Sequence, residues 1–240
     1  MPVVKEPVSG SNPFYGCAIM IIAALTFGGI VSWMLYSGYK QDKEIASFTV
    51  NNAPPLPAAE LTDADRAEVQ GKLESFSKVS ANGKAVTLTL SLDELNQIVA
   101  LAGEKKIGNY DYRGIVRFTS LDAKAGRLHA DIRWQMNNFP FSKAPDRFLV
   151  GSAVFLPRVE NGSFDLYLEN VDVPGKTVSP GFVGHLQTIP WLAVMKNDKN
   201  VAEVLKRVTS FEFTSEGSAI MLKTSEGAPA GATPSPSPAK

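Results

Sequence analysis

Polar and apolar positions change period several times along this chain. From Phe14 to Leu35 there is no Asp, Glu, Lys, Arg or His for 22 residues. At about 1.5 Å per residue such a helix covers the roughly 30 Å of bilayer hydrocarbon. Further on, Thr62 followed by Asp63 and Asp65 reads as a helix start, with Val69, Leu73 and Phe76 on one face. Asn82-Gly83 is a turn. Val86, Leu88 and Leu90 alternate with Thr87 and Thr89, the period of a strand. Ser91 and Glu94 form a capping box that opens a helix over Leu92–Gly103, burying Leu92, Leu95, Ile98, Val99 and Ala102.

Beyond Gly103 the period is two. Ile115–Leu121 is a strand. Leu128, Ala130, Ile132, Trp134 and Met136 alternate with Arg127, His129, Asp131, Arg133 and Gln135, which predicts one buried and one wet face. Phe148–Leu156 is apolar on both faces and reads as a covered central strand. Glu160-Asn161-Gly162 is a hairpin turn into Phe164, Leu166 and Leu168, which alternate with Asp165, Tyr167 and Glu169. Asn161-Gly162-Ser163 also matches a glycosylation acceptor, but the hairpin accounts for the same residues. Ser179-Pro180 starts a helix to about Thr188, and Asn200 caps another. Phe211–Thr214 and Ala219–Lys223 close as a hairpin around Glu216-Gly217. The result is an α+β domain, an antiparallel meander with amphipathic helices on one face.

Composition divides the chain into a short leader 1–13, a transmembrane anchor 14–36, a Pro-rich linker 37–59, the α+β domain 60–225, and a Pro/Ala/Ser tail 226–240 expected to be disordered. Phe14, Tyr15, Trp33, Tyr36 and Tyr39 suit the two bilayer interfaces. A cleaved signal peptide is the competitor, yet the leader holds only Lys5 and Glu6 and the run ends in Trp33-Met34-Leu35-Tyr36. An uncleaved single-pass anchor is therefore expected, with the bilayer as a partner through 14–35. Lys5 before the helix against Lys40 and Lys43 after it favours a cytoplasmic domain, though a long domain translocates regardless of such a count. Ala24, Gly28 and Ser32 put three small residues on one helical face, a candidate homodimer contact.

Lys+Arg and Asp+Glu are 24 each, which leaves no basic footprint for nucleic acid. The single cysteine, Cys17, excludes an internal disulfide. His129 and His185 are the two histidines and lack the spacing of a metal site. There is no nucleophile elbow and no phosphate loop. No cofactor, metal or catalytic residue is expected, and the chain reads as a non-enzyme.

Two segments are rich in apolar residues where loops are expected, around Phe139 and Phe141 and around Phe182 and Trp191. They are candidates for touching the membrane or admitting lipid, or they fold back as core. If the sheet and its helices enclose a groove, Leu92, Leu95, Val99, Ile132, Trp134 and Met136 are its candidate lining. The same residues also serve as packed core.

Val86–Gln97, a strand running into a capped helix with Glu94-Leu95-Asn96, is similar to the opening of YpmS-like bacterial envelope proteins. It also resembles YceB-like lipoproteins of the tubular lipid-binding type. Phe155–Gly162 and Val171–Lys176 extend the resemblance over about residues 84–195. The resemblance implies a curved antiparallel sheet wrapped against a helix, a periplasmic domain and a lipid-sized groove, and it supplies no catalytic residue. The expected function is a membrane-anchored envelope protein binding a lipid or other apolar ligand, with a structural scaffold acting through protein contacts as the alternative.

Overall fold

The apolar run near the N-terminus seeds a helix longer than itself. In this computed structural model, which describes residues 13–107, 111–136 and 146–227, α1 spans Pro13–Phe48, 36 residues. The chain separates into two compact units, one ending at Ile45 and the other starting at Ala46. In the first unit α1 is exposed along its apolar length and carries the Ala24, Gly28 and Ser32 stripe on its surface. α1 is long and apolar enough to cross a membrane, a test that an N-terminal signal sequence also passes. The expected leader up to Ser11-Asn12 and the tail beyond Gly227 lie outside the described residues.

The segment 37–59, expected as a Pro-rich linker, begins as helix and a short strand, while its Pro-rich part from residue 52 on has neither. Gln41–Phe48 continues α1, because Gln, Asp, Lys, Glu, Ile and Ala carry no helix breaker. Phe48 is fully buried against Phe182, ring centroids 4.9 Å apart. β1, Val50–Asn51, then pairs antiparallel with residues 147–148. Asn52, at φ 54°, turns the chain toward the prolines. The Arg133 guanidinium holds the carbonyl of Ala53 at 2.8 Å, and the Leu56 N–H donates to the carbonyl of Gly114 at 3.1 Å. At Gly114 a Cβ would meet the Cβ of Pro55 at 2.7 Å, so Pro55 lies close over the Gly114 backbone while Pro54, Pro55 and Pro57 stay exposed.

The second unit continues with α2 (Asp63–Ala81), β2 (Thr87–Ser91) and α3 (Leu92–Glu104). Thr62 and Asp65 form one capping box, and Ser91 and Glu94 form the other. Four strands follow, β3 (Val116–Asp122), β4 (Arg127–Gln135), β5 (Arg147–Glu160) and β6 (Ser163–Asp172). They pair in sequence as an antiparallel meander, curled into a half-barrel. β5 runs beyond the expected Leu156, since Pro157–Glu160 pairs with Ser163–Leu166 across the turn. At that turn Asn161 (φ 52°) and Gly162 (φ 69°) are both left-handed, as the hairpin reading requires.

Two devices curl the sheet. A register shift between Val154 and Phe155 adds local twist. At Gly151 an added Cβ would lie 2.1 Å from the Asp172 carbonyl, so only glycine lets the end of β6 close so tightly over β5.

The remaining elements are α4 (Pro180–Gln187), a 3-10 turn at Met195–Asn197, α5 (Lys199–Arg207), β7 (Ser210–Phe213) and β8 (Ala219–Lys223). α5 begins one residue before the expected cap Asn200, because the Asp198 carboxylate accepts from the Asn200 and Val201 N–H groups. β7 and β8 form the expected hairpin but do not extend the meander. β8 pairs with β2 along Thr87–Ser91, giving a separate three-stranded sheet.

Candidate functional site

The register of the half-barrel gathers its apolar side chains onto one inner face. On β4 these are Leu128, Ala130, Ile132 and Trp134, with Met136 just past its end, all at most 8% exposed. Across the ladder they meet Phe155, Ala153, Gly151 and Leu149 of β5, with Phe118 of β3 beside Ala130. Fully burying a side chain such as Ile132 or Leu149 stabilises by roughly 1.5–3 kcal/mol, so this face is the main core.

Aromatic rings concentrate on the same face. Trp134 stacks on Trp191 with centroids 4.1 Å apart and planes 19° from parallel. Phe155 meets Trp191 edge-on at 5.8 Å and Trp134 edge-on at 6.5 Å, and Phe118 meets Phe155 at 6.3 Å. Edge-on and offset contacts are the arrangements that the ring quadrupoles favour.

Trp191 arrives from outside the sheet. Pro190 bridges to Tyr167, and the Trp191 N–H donates to the Leu166 carbonyl at 2.9 Å, so residues 190–191 lie along the edge of β6. Asp165 holds the same segment. Its Oδ1 accepts from the Leu166 and Leu192 N–H groups, both at 2.9 Å, and its Oδ2 from Lys196 Nζ at 2.6 Å. Asp165 alternates with apolar neighbours along β6, yet residues 190–196 fold over it and it is buried. Alternation along β6 carries no trace of that covering segment.

The candidate groove residues divide between two elements. Ile132 and Trp134 on β4 and Met136 just past its end are buried, whereas Leu92, Leu95 and Val99 are half-buried on α3. α3 packs on β3 at the sheet edge rather than on β4. The Asn96 side chain fastens it there, donating to the Phe118 carbonyl at 2.9 Å and accepting the Phe118 N–H at 2.8 Å. The space bordered by Asn96, Val99, Ala100 and Val116 has a volume of about 10 Å³, room for one water at most. Of the apolar loop residues, Phe182 and Trp191 fold inward onto Phe48 and Trp134. Phe139 and Phe141 lie outside the described residues.

No family model, curated protein or solved structure matches this chain. The site therefore rests on its own chemistry. A larger opening lies where β6 ends beside α4, an open cleft of about 590 Å³ bordered by Val171, Asp172, Lys176, Val183 and Gln187. Lys176 there donates to the Thr49 carbonyl at 2.5 Å, within the second unit.

Among the described residues, charged groups form ion pairs and short bridges such as Glu68–Lys72–Glu94. Glu94 is pushed up by burial, but the Lys72 ammonium and the Ser91 N–H and hydroxyl outweigh this and hold it below the usual range. The Arg113 guanidinium brings Asp111 down to about 2. Arg127 pairs with Glu169 across β4 and β6, and its own pKa rises accordingly. Among the described residues no three His, Cys, Asp or Glu side chains gather to hold a metal ion. His129 and His185 stand on separate elements, β4 and α4.

Sequence reasoning missed Phe118, Phe155 and Asp165 as parts of the site. The two phenylalanines sat in strands already read as apolar, where nothing marks one ring from another until the register is known.

Proposed function

We propose that the chain is a non-catalytic, membrane-anchored envelope protein whose domain binds an apolar ligand on the inner face of the half-barrel. The aromatic group of Trp134, Phe155 and Trp191 carries this reading. Three large rings meeting on one face, one of them contributed by an irregular segment, form a surface that hydrocarbon can replace without losing a hydrogen bond. α1 supplies the proximity to lipid. The curled sheet suits the resemblance to YpmS-like and tubular lipid-binding proteins, which implies a domain outside the cytoplasm.

The test is native mass spectrometry of the full-length protein released from detergent micelles, with organic extraction of the same sample. An apolar molecule bound one to one, and lost on extraction, is the expected result. A bare chain mass that stays unchanged after incubation with membrane lipids would overturn the reading. The tight fill beside α3, about 10 Å³, favours the second reading, an envelope scaffold acting through protein contacts. A bare mass together with a specific crosslinked protein partner would establish that one instead.

A further inference from the structure

Trp191 lies where a ligand of the proposed kind would lie. We propose that residues 189–197 are a lid, and that the Trp191 indole fills in the closed state the seat that an acyl chain takes in the open one. This rests on the apolar-ligand reading and adds to it a place, a moving part and a latch.

The segment is built to move as a unit. It contains no α-helix and no strand of its own, only the Pro190 bridge, a run of turns and the 3-10 turn at Met195–Asn197. It begins where α4 ends at Gln187–Thr188 and stops at Asp198, the cap of α5. Both flanking helices can therefore stay in place while it swings.

Its hold on the sheet is local. Of the three donors on the Asp165 carboxylate, the Leu192 N–H and Lys196 Nζ belong to the lid. Asp165 itself sits on β6 with its side chain 3% exposed, whereas the Lys196 side chain is 27% exposed. The latch thus pairs a buried acceptor on the fixed side with a half-buried donor on the moving side. A charge-assisted bond of this kind is among the stronger contacts available to such a segment.

The closed state also carries a defect. Trp191 Nε1 is buried with no hydrogen-bond partner among the described residues. An indole N–H shut away from water without an acceptor is a cost that a hydrocarbon in the same seat does not incur. The face beneath it, Trp134 with Phe155 at its edge, has no polar group of its own to satisfy except the indole N–H of Trp134. That atom is not among the buried unpaired ones. An acyl chain fits this seat because it buries area without needing a partner, and the bilayer supplies such chains.

The experiment uses the full-length protein in lipid nanodiscs, in a Trp33→Phe background that leaves Trp134 and Trp191 as the two tryptophans. Acrylamide quenching reads lid opening. A photoactivatable palmitic acid, followed by peptide mass spectrometry, reads seat occupancy. Lys196→Met removes one charge-assisted bond and should raise the open population roughly tenfold, with a matching rise in label on the β4 peptide carrying Trp134. Asp165→Ala should go further. If that variant fails to fold by circular dichroism, Lys196→Met alone decides, since its lysine is partly exposed. Unchanged quenching in a folded Lys196→Met protein would refute the lid. Raised quenching with a bound lipid whose label falls elsewhere would refute the seat and leave the apolar-ligand reading standing. Raised quenching with no label and no bound lipid would refute both the seat and that reading.

Discussion

Phe48→Ala separates a free linker from a docked one. Phe48 ends α1, has no exposed surface and packs its ring 4.9 Å from that of Phe182 at 47°. Truncating a fully buried Phe costs about 3–5 kcal/mol. The ring pair accounts for about 0.5–1.5 kcal/mol of that. A domain of this size has about 5–15 kcal/mol in all, so the loss is a large share of it. Urea unfolding of the full-length protein in mild micelles, followed by the fluorescence of Trp134 and Trp191 in a Trp33→Phe background, reads the change. With a slope of about 2 kcal/mol per molar urea, a 4 kcal/mol loss lowers the midpoint by about 2 M with the slope unchanged. Phe182→Ala should cost less, because that ring is only half-buried, and the double variant should fall short of additivity by the ring-pair energy. A midpoint shift under about 0.5 M for Phe48→Ala would mean the side chain is not core, and would restore 37–59 as a free linker.

Other substitutions test the curl, the helix clamp and the charge pairs. Gly151→Ala puts a Cβ 2.1 Å from the Asp172 carbonyl and should destabilise by about 1–3 kcal/mol or more in urea unfolding. Gly71→Ala, on the exposed face of α2 with nothing within 4 Å, should stabilise by about 0.5–1 kcal/mol in the same assay. Asn96→Ala strips both bonds from the Phe118 backbone and should cost about 1–3 kcal/mol, with faster amide exchange at Phe118. Glu94 is held below its ordinary pKa, so the stability it contributes is present above that ordinary value and lost as pH falls through and below it. Lys72→Met should therefore flatten the dependence of melting temperature on pH between about 5 and 3.

Local chemistry was legible in the sequence, and long-range covering was not. The cap at Thr62, the capping box at Ser91, the Asn161-Gly162 turn and the alternation of Leu128 to Met136 are rules written within a few residues, and each appears in the structure. The tail end of α1 was hidden because polar Gln41–Glu44 reads equally as linker or as exposed helix, and only the burial of Phe48 distinguishes them. Asp165 alternated like a solvent-facing residue. What buries it is a segment about thirty residues away, reached by a hydrogen bond to Leu192 that no periodicity encodes. The two-sheet arrangement was illegible for the same reason, since β8 chooses β2 over β6 by a pairing that spans most of the domain. Trp134 was legible as a residue on the buried face of its strand, whereas its partner Trp191 stood in a loop that pattern alone could not orient.

The central claim is that hydrocarbon binds on the inner face of the half-barrel. The most direct test is photoactivatable phosphatidylcholine incorporated in vesicles with the full-length protein, followed by peptide mapping of the label. The account predicts label on the strand carrying Trp134 and on the segment carrying Trp191, beyond whatever label α1 takes from the bilayer. Label confined to α1, at saturating probe and with the domain folded, would contradict it.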